Sequence, residues 1–206
     1  MKKICTALLL LFIALNAAAQ KTAGTLKLKS GHIQLRGNMQ ANEVNAELQK
    51  GKFGNSIYSM LVFEKRITAA QQQSIRSLGI EILYYLPDNI YQVRMKQVPM
   101  LSKLYEAGVK AVVHTPGSAK LGREIKTQLE TKSPDFPVLV NLKFYPGVKW
   151  NDVQPHLSFY DVTLTKADYL NQGLAQVSVA AGKIPAISEL PFIAYINLSF
   201  FNNEVL

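Results

Sequence analysis

Between Ser56 and Thr115 the sequence runs through strand-like and helix-like stretches in the order βαββαβ, and its middle pair turns the chain back on itself. Glu81–Leu86 and Ile90–Met95 flank Pro87-Asp88-Asn89, so they read as a β-hairpin. Pro87 presets φ for a turn, and Asp88 and Asn89 tolerate left-handed backbone. Ser56–Phe63 (SIYSMLVF) supplies the first strand through its β-branched and aromatic content. Thr68-Ala69-Ala70-Gln71 has the pattern of a capping box, with Ile67 placed as a hydrophobic staple. It predicts a helix over 69–78 with Ile75 and Leu78 on one face and Gly79 at the C-terminal cap. After the hairpin, Val98, Leu101, Leu104 and Tyr105 recur at helical spacing behind Pro99, up to Gly108. Val109–Thr115 gives the last strand. This order, within about sixty residues, is the split βαβ arrangement of a ferredoxin-like sandwich, with helices on one face of an antiparallel sheet.

A sheet covered on one side should read polar on the other. Here it does not. Tyr58, Met60 and Val62 fall on one side of the first strand and Ile57, Leu61 and Phe63 on the other, and EILYYL is apolar at both parities. Something covers the second face: the rest of this chain, or a docked partner protein.

The remainder suggests a second, diverged copy. Residues 117–136 are polar and bounded by prolines, a linker with room for a short helix from about Arg123 to Lys132. Pro137–Tyr145 alternates Val138, Val140, Leu142 and Phe144 as a strand. Trp150–Leu157 fits a short helix despite Pro155, Leu174–Val179 a third strand, Ile184–Leu190 a helical turn and Phe192–Leu198 a closing strand. The second strand is placed only loosely, within Phe159–Leu170. Ser102-Lys103-Leu104 followed by Val109 and Val112 rhymes with Ser188-Glu189-Leu190 followed by Ile193 and Ile196. A single mixed domain is the alternative. The fold class expected is α+β, two tandem ferredoxin-like (βαββαβ) sandwiches over 56–116 and 137–198. Ahead of them, 20–55 reads as an N-terminal hairpin (TLKLKSGHIQL) and then, over 37–55, a polar loop with three glycines.

The first nineteen residues carry Lys2 and Lys3, an apolar stretch from about Ala7 to Leu15, and Ala17-Ala18-Ala19. That order predicts a signal peptide cleaved near Ala19 and an exported product, periplasmic or extracellular. The apolar run falls short of the roughly 18 to 20 residues that cross a bilayer, so no membrane span is expected. Cleavage removes 19 of the 206 residues, leaving 187, and with them the chain's one cysteine, Cys5. Disulfides, thiol nucleophiles and Cys-ligated zinc are thereby excluded from the expectation. The formal charge falls from +9 by the two lysines removed, to +7. Nucleic acid is not an expected partner, because the cations are scattered and not interleaved with stacking aromatics.

Little in the sequence is arranged for chemistry. His32, His114 and His156 lie in separate segments without the short spacing of a metal site. No Gly-x-Ser-x-Gly elbow, Ser-x-x-Lys box or His-Glu-x-x-His helix occurs, nor a glycine loop that cradles phosphate. Gly117-Ser118-Ala119-Lys120 has the wrong spacing for a Ser-Lys pair and reads as inert. The expectation is a protein that is not an enzyme and has neither cofactor nor metal.

SIYSMLVFEKRITAAQQQSIRSLGIEILYYLPDNIYQVRM, followed by MLSKLYEAGVKAVVHTPGSAKLGREI, resembles the N-terminal pro-regions of secreted bacterial subtilisin-like serine peptidases. The likeness rests on Phe63, Thr68, Gln71, Leu78, Gly79, Tyr85, Pro87, Asn89, Tyr91 and Val93, and covers Ser56 to about Ile125. The peptidase's own Asp, His and Ser motifs are absent, so the resemblance implies a pro-region without its enzyme, a stand-alone inhibitor or folding chaperone or the remnant of a shortened gene. It implies docking on a subtilisin-like serine peptidase through an open sheet face, mapped to Tyr58, Met60, Tyr84, Tyr91, Gln92 and Arg94. It further implies that the tail over 199–206 lies in the substrate cleft, with Ser199, Phe200, Phe201, Asn202, Asn203 and Glu204 making strand-like contacts. The rival expectation is a structural or adhesive envelope module that binds other proteins and has no peptidase partner.

Overall fold

A computed structural model describes residues 22–28, 31–36 and 39–199. The expected signal peptide and the tail residues Phe200, Phe201, Asn202, Asn203 and Glu204 lie outside the described residues. The chain is a mixed α+β protein with antiparallel sheets and, among the described residues, seven α-helices.

Strands β1 (Thr22–Leu28) and β2 (Gly31–Arg36) pair as a hairpin, with Leu26 opposite Ile33. Helix α1 (Ala41–Lys50) follows, where the sequence reads as a loop. Its apolar content on the buried side is only Val44 and Leu48, one turn apart, too sparse to register as a period. The helix is held instead by packing on the first sheet and by Glu43, whose carboxylate accepts the Gln40 amide at 2.8 Å.

The first sheet contains β3 (Lys52–Phe53), β4 (Ser56–Phe63), β5 (Ile80–Leu86), β6 (Ile90–Met95) and β7 (Val109–Val113). Its strands run β7–β4–β6–β5, with β3 paired to the start of β4. Asp88 (φ 62°) and Asn89 (φ 59°) take the left-handed conformations that the hairpin turn needs. Asn89 also donates its side-chain amide to the Glu64 carbonyl, fastening the turn to the end of β4. Helices α2 (Ala69–Ser77) and α3 (Leu101–Glu106) join α1 over one face, where Ile57, Leu61, Val93 and Met95 form a core with Ile75 and Leu104. Thr68 caps α2 reciprocally with Gln71.

The other face of this sheet is also covered. Met60, Val62, Ile90, Ala111 and Val113 pack against Ile33 and Leu35 of β2 and Ala119 of α4 (Gly117–Lys120). The apolar residues at both parities of β4 are thus explained by the chain's own N-terminal hairpin and by the segment after β7.

Helix α5 (Arg123–Thr131) leads to the second sheet: β8 (Pro137–Phe144), β9 (Thr163–Lys166), β10 (Leu174–Ala180) and β11 (Ile193–Leu198), in the order β11–β8–β10–β9. Helices α6 (Trp150–Ser158) and α7 (Ile184–Glu189) and Ile125 of α5 share one core with Val140, Leu142 and Phe144. Along β8, Val138, Val140, Leu142 and Phe144 are buried while Leu139, Asn141 and Lys143 are not. This clean alternation marks a sheet with one face left to solvent.

Candidate functional site

Strand geometry sorts the first-sheet residues before any contact is considered. Side chains alternate along β6, so Gln92 and Arg94 share a face and Tyr91 takes the opposite one. Tyr91 lies under the start of α2, where its hydroxyl accepts the Ile67 amide at 3.2 Å and its ring meets Phe63 edge to face. It therefore cannot join a docking surface with the other five. A β-bulge between Ile82 and Tyr84 adds Leu83 to β5, and Tyr84 sits opposite Gln92.

The face that holds the remaining five is closed. Met60 is fully buried under the N-terminal hairpin. Gln92 is buried too, donating to the Ser59 carbonyl at 2.9 Å and accepting from the Thr115 hydroxyl at 3.5 Å. Tyr58 stacks on Tyr145, and its hydroxyl donates to the Pro146 carbonyl at 3.3 Å. Arg94 donates Nη1 to the same carbonyl at 2.9 Å and Nε to Glu81 at 2.9 Å. Only Tyr84, 45% exposed, remains open. The expectation of an open sheet here is corrected: Tyr58 and Arg94 help form the joint between the halves of the chain, and Met60 and Gln92 are buried within the first half.

A second polar group lies beside the joint. The His114 amide donates to Glu47 at 3.1 Å, and Glu47 also pairs with Lys50. Burial raises the Glu47 carboxyl, but the Lys50 ammonium and the His114 amide outweigh it and hold it below its usual range. Burial, helped by the Lys120 charge, pushes His114 down to about 4, so its ring is neutral near pH 7. Its buried Nδ1 has no hydrogen-bond partner. Lys120 is 1% exposed, donates to the Leu190 carbonyl at 3.1 Å and is pushed down to about 8 by burial, against the pull of Glu189. Glu189 accepts the Gly117 amide at 2.9 Å, locking α4 onto α7. No sequence pattern points to this group, since Lys120 stands in a short polar stretch without periodicity. Among the described residues no cluster of three or more His, Cys, Asp or Glu side chains is placed to hold a metal ion, and no helix is long and apolar enough to cross a membrane.

Among the described residues no element packs on the outer face of the second sheet, whose central side chains, Asn141 and Gln176, are half-buried among their neighbours. Tyr195, Lys143 and Leu174 form one cross-strand row and Asn197, Asn141 and Gln176 the next. Gln176 donates to Asn141 at 3.4 Å and to the Ser199 hydroxyl, and the Ser199 amide donates to the Leu139 carbonyl at 3.0 Å. Ser199 thus continues the β11 ladder. Leu139 and Tyr195 contribute exposed apolar area among these amides. The surface has the mixed character of a protein-binding face and carries no nucleophile paired with a base.

A family described as a domain of unknown function (DUF8729) matches residues 27–116, from the N-terminal hairpin to just past the first sheet. No curated protein matches the chain. No solved structure matches it either.

Proposed function

We propose that this chain is a non-catalytic exported protein that inhibits a subtilisin-like serine peptidase or assists its folding, in the manner of a pro-region. The observation that carries the reading is that, among the described residues, only the second of the two main sheets keeps a face that no other element covers, and that β11, from which the chain runs on into its tail, lies in that sheet. Each half is read as a ferredoxin-like sandwich. Support comes from the shared βαββαβ order and from strands arranged fourth, first, third, second in both sheets. The docking residues move accordingly, to Leu139, Asn141, Lys143, Gln176 and Tyr195. Met60, Tyr91 and Gln92 drop out because they are buried. Ser199 and the residues after it would then lie along the substrate cleft as an added strand.

The test is inhibition of a panel of subtilisin-like peptidases by the chain from Gln20 to Leu206, by the same chain ending at Ser199, and by Asn141→Arg. Inhibition that weakens in both altered forms supports the reading. Its absence in a folded wild-type chain overturns it, and favours the envelope-module reading. The closed first half suits that rival, since a sheet buried on both faces makes a stiff spacer.

A further inference from the structure

We infer that the cleft between the two halves, at the end of β8, binds an anionic saccharide. The cleft measures about 700 Å³ and is bounded by Tyr84 from the first half and by the loop into α6 from the second. That volume lies within the range of roughly 300 to 1,000 Å³ typical of small-ligand sites. Its charge is one-sided: Lys143 and Lys149 line it and, among the described residues, no carboxylate does. Lys143 gives one hydrogen bond, to the Gln172 carbonyl at 2.6 Å, which fixes its ammonium and leaves two further donors. Lys149 is exposed. Asp152, in the first turn of α6, accepts the Lys149 amide at 3.4 Å with its carboxylate.

Four aromatic residues line it, of which Phe144 and Tyr145 are buried and Tyr84 and Trp150 are accessible. Tyr84 is 45% exposed, and Trp150 is half-buried, tilted against Phe144 at 6.3 Å. Rings of this kind offer an apolar face with a polar tip. Asn151, Asn171 and Gln172 also line the cleft. A sugar ring needs an apolar platform and hydroxyl partners, and a carboxylated or sulfated sugar also needs fixed cations. The cleft supplies all three, and a bare inorganic anion would use only the last.

Trp150 is the chain's one tryptophan, so its fluorescence reports occupancy directly. The full chain is titrated with trigalacturonic acid, with a sulfated disaccharide and with galactotriose as the neutral control, with calorimetry in parallel. Saturable binding of either anionic probe is expected, with the neutral one about tenfold weaker or more. Replacing both Lys143 and Lys149 by alanine should weaken the anionic probe by a similar factor. Whichever anionic probe binds more tightly identifies the acid group. No binding of either anionic probe by both methods overturns the inference. So does equal binding of the neutral one, or full binding by the double variant with an unchanged circular dichroism spectrum. Tyr84→Ala weakens binding if the cleft uses both halves; unchanged affinity there also counts against the site.

Discussion

Tyr58 of β4 and Tyr145 at the end of β8 stack almost parallel, 7° apart with ring centroids separated by 4.5 Å. Tyr58 lies in the first sheet and Tyr145 directly follows a strand of the second, so this contact joins one half of the chain to the other. Tyr58 buries its ring in the second core, while its neighbours Ile57 and Leu61 point into the first. One strand therefore feeds both cores.

Tyr58→Ala should destabilise the chain by about 3 kcal/mol or more, the usual cost of truncating a buried aromatic. Tyr58→Phe removes a long hydrogen bond to Pro146 and the hydroxyl's contact with Arg94 while keeping the stack, and should cost about 1 kcal/mol. Denaturant unfolding of both variants checks this. Equal losses would show that the hydroxyl, and not the stack, carries the contact.

Local pattern made most strands of both sheets legible, β3 and the bounds of β9 excepted, and α2 with its Thr68 cap, because period and turn chemistry are properties of short segments. The coverage of the first sheet was not legible. Both readings of Met60 and Val62 predict the same apolar residues, and only the long-range placement of Ile33, Leu35 and Ala119 decides between them. Tyr91, expected on one surface with Gln92 and Arg94, lies on the opposite face, as the two-residue period of a strand requires. The Leu83 bulge had no sequence mark at all.

Gly147 has φ +87°, and a Cβ there would lie 2.4 Å from Arg94 Nη1. Alanine at this position meets backbone strain and also displaces the guanidinium from the Pro146 carbonyl. Gly54 has φ +54° with nothing within 4 Å of its Cβ position. Gly54→Ala should therefore cost about 1–2 kcal/mol from backbone alone, and Gly147→Ala distinctly more. Thermal unfolding of the pair gives the comparison, and equal shifts would remove Arg94 from the account.

Lowering pH should weaken the fold through His114. Its folded pKa of about 4 lies below its value near 6.5 in the unfolded chain. Between those values the unfolded chain binds the extra proton, so stability is full above about 6.5 and is lost as pH falls toward 4. Partial exposure of the ring limits the effect to about 2 kcal/mol. Glu47, held low by Lys50 and the His114 amide, adds its own loss only as pH falls below the usual carboxylate range. His114→Leu should flatten the profile between pH 6.5 and 4, read as denaturation midpoints. A profile unchanged by the substitution would assign the acid sensitivity to the carboxylates.

Lys120 should act in the opposite part of the pH range. Its amine is buried and its folded pKa is about 8, against about 10.4 in an unfolded chain. Between those values the unfolded chain again holds the extra proton, so the fold gains stability as pH rises from 8, by up to about 3 kcal/mol if the titration is completed. Tyr145 opposes this at higher pH. Burial raises its phenol to about 12, so the unfolded chain loses that proton first and stability falls above the usual tyrosine pKa of about 10. The measurement therefore runs from about pH 7.5 to about 9.5, below both crossings near 10. Lys120→Met keeps the volume and removes the charge, at the cost of leaving the Leu190 carbonyl without its donor. The wild-type denaturation midpoint should climb through this range and that of the variant should stay flat. Because the charged amine is the costly form, the variant should be the less impaired of the two as pH falls to 7. If both midpoints climb together, the gain belongs to another group and Lys120 keeps its proton in the fold.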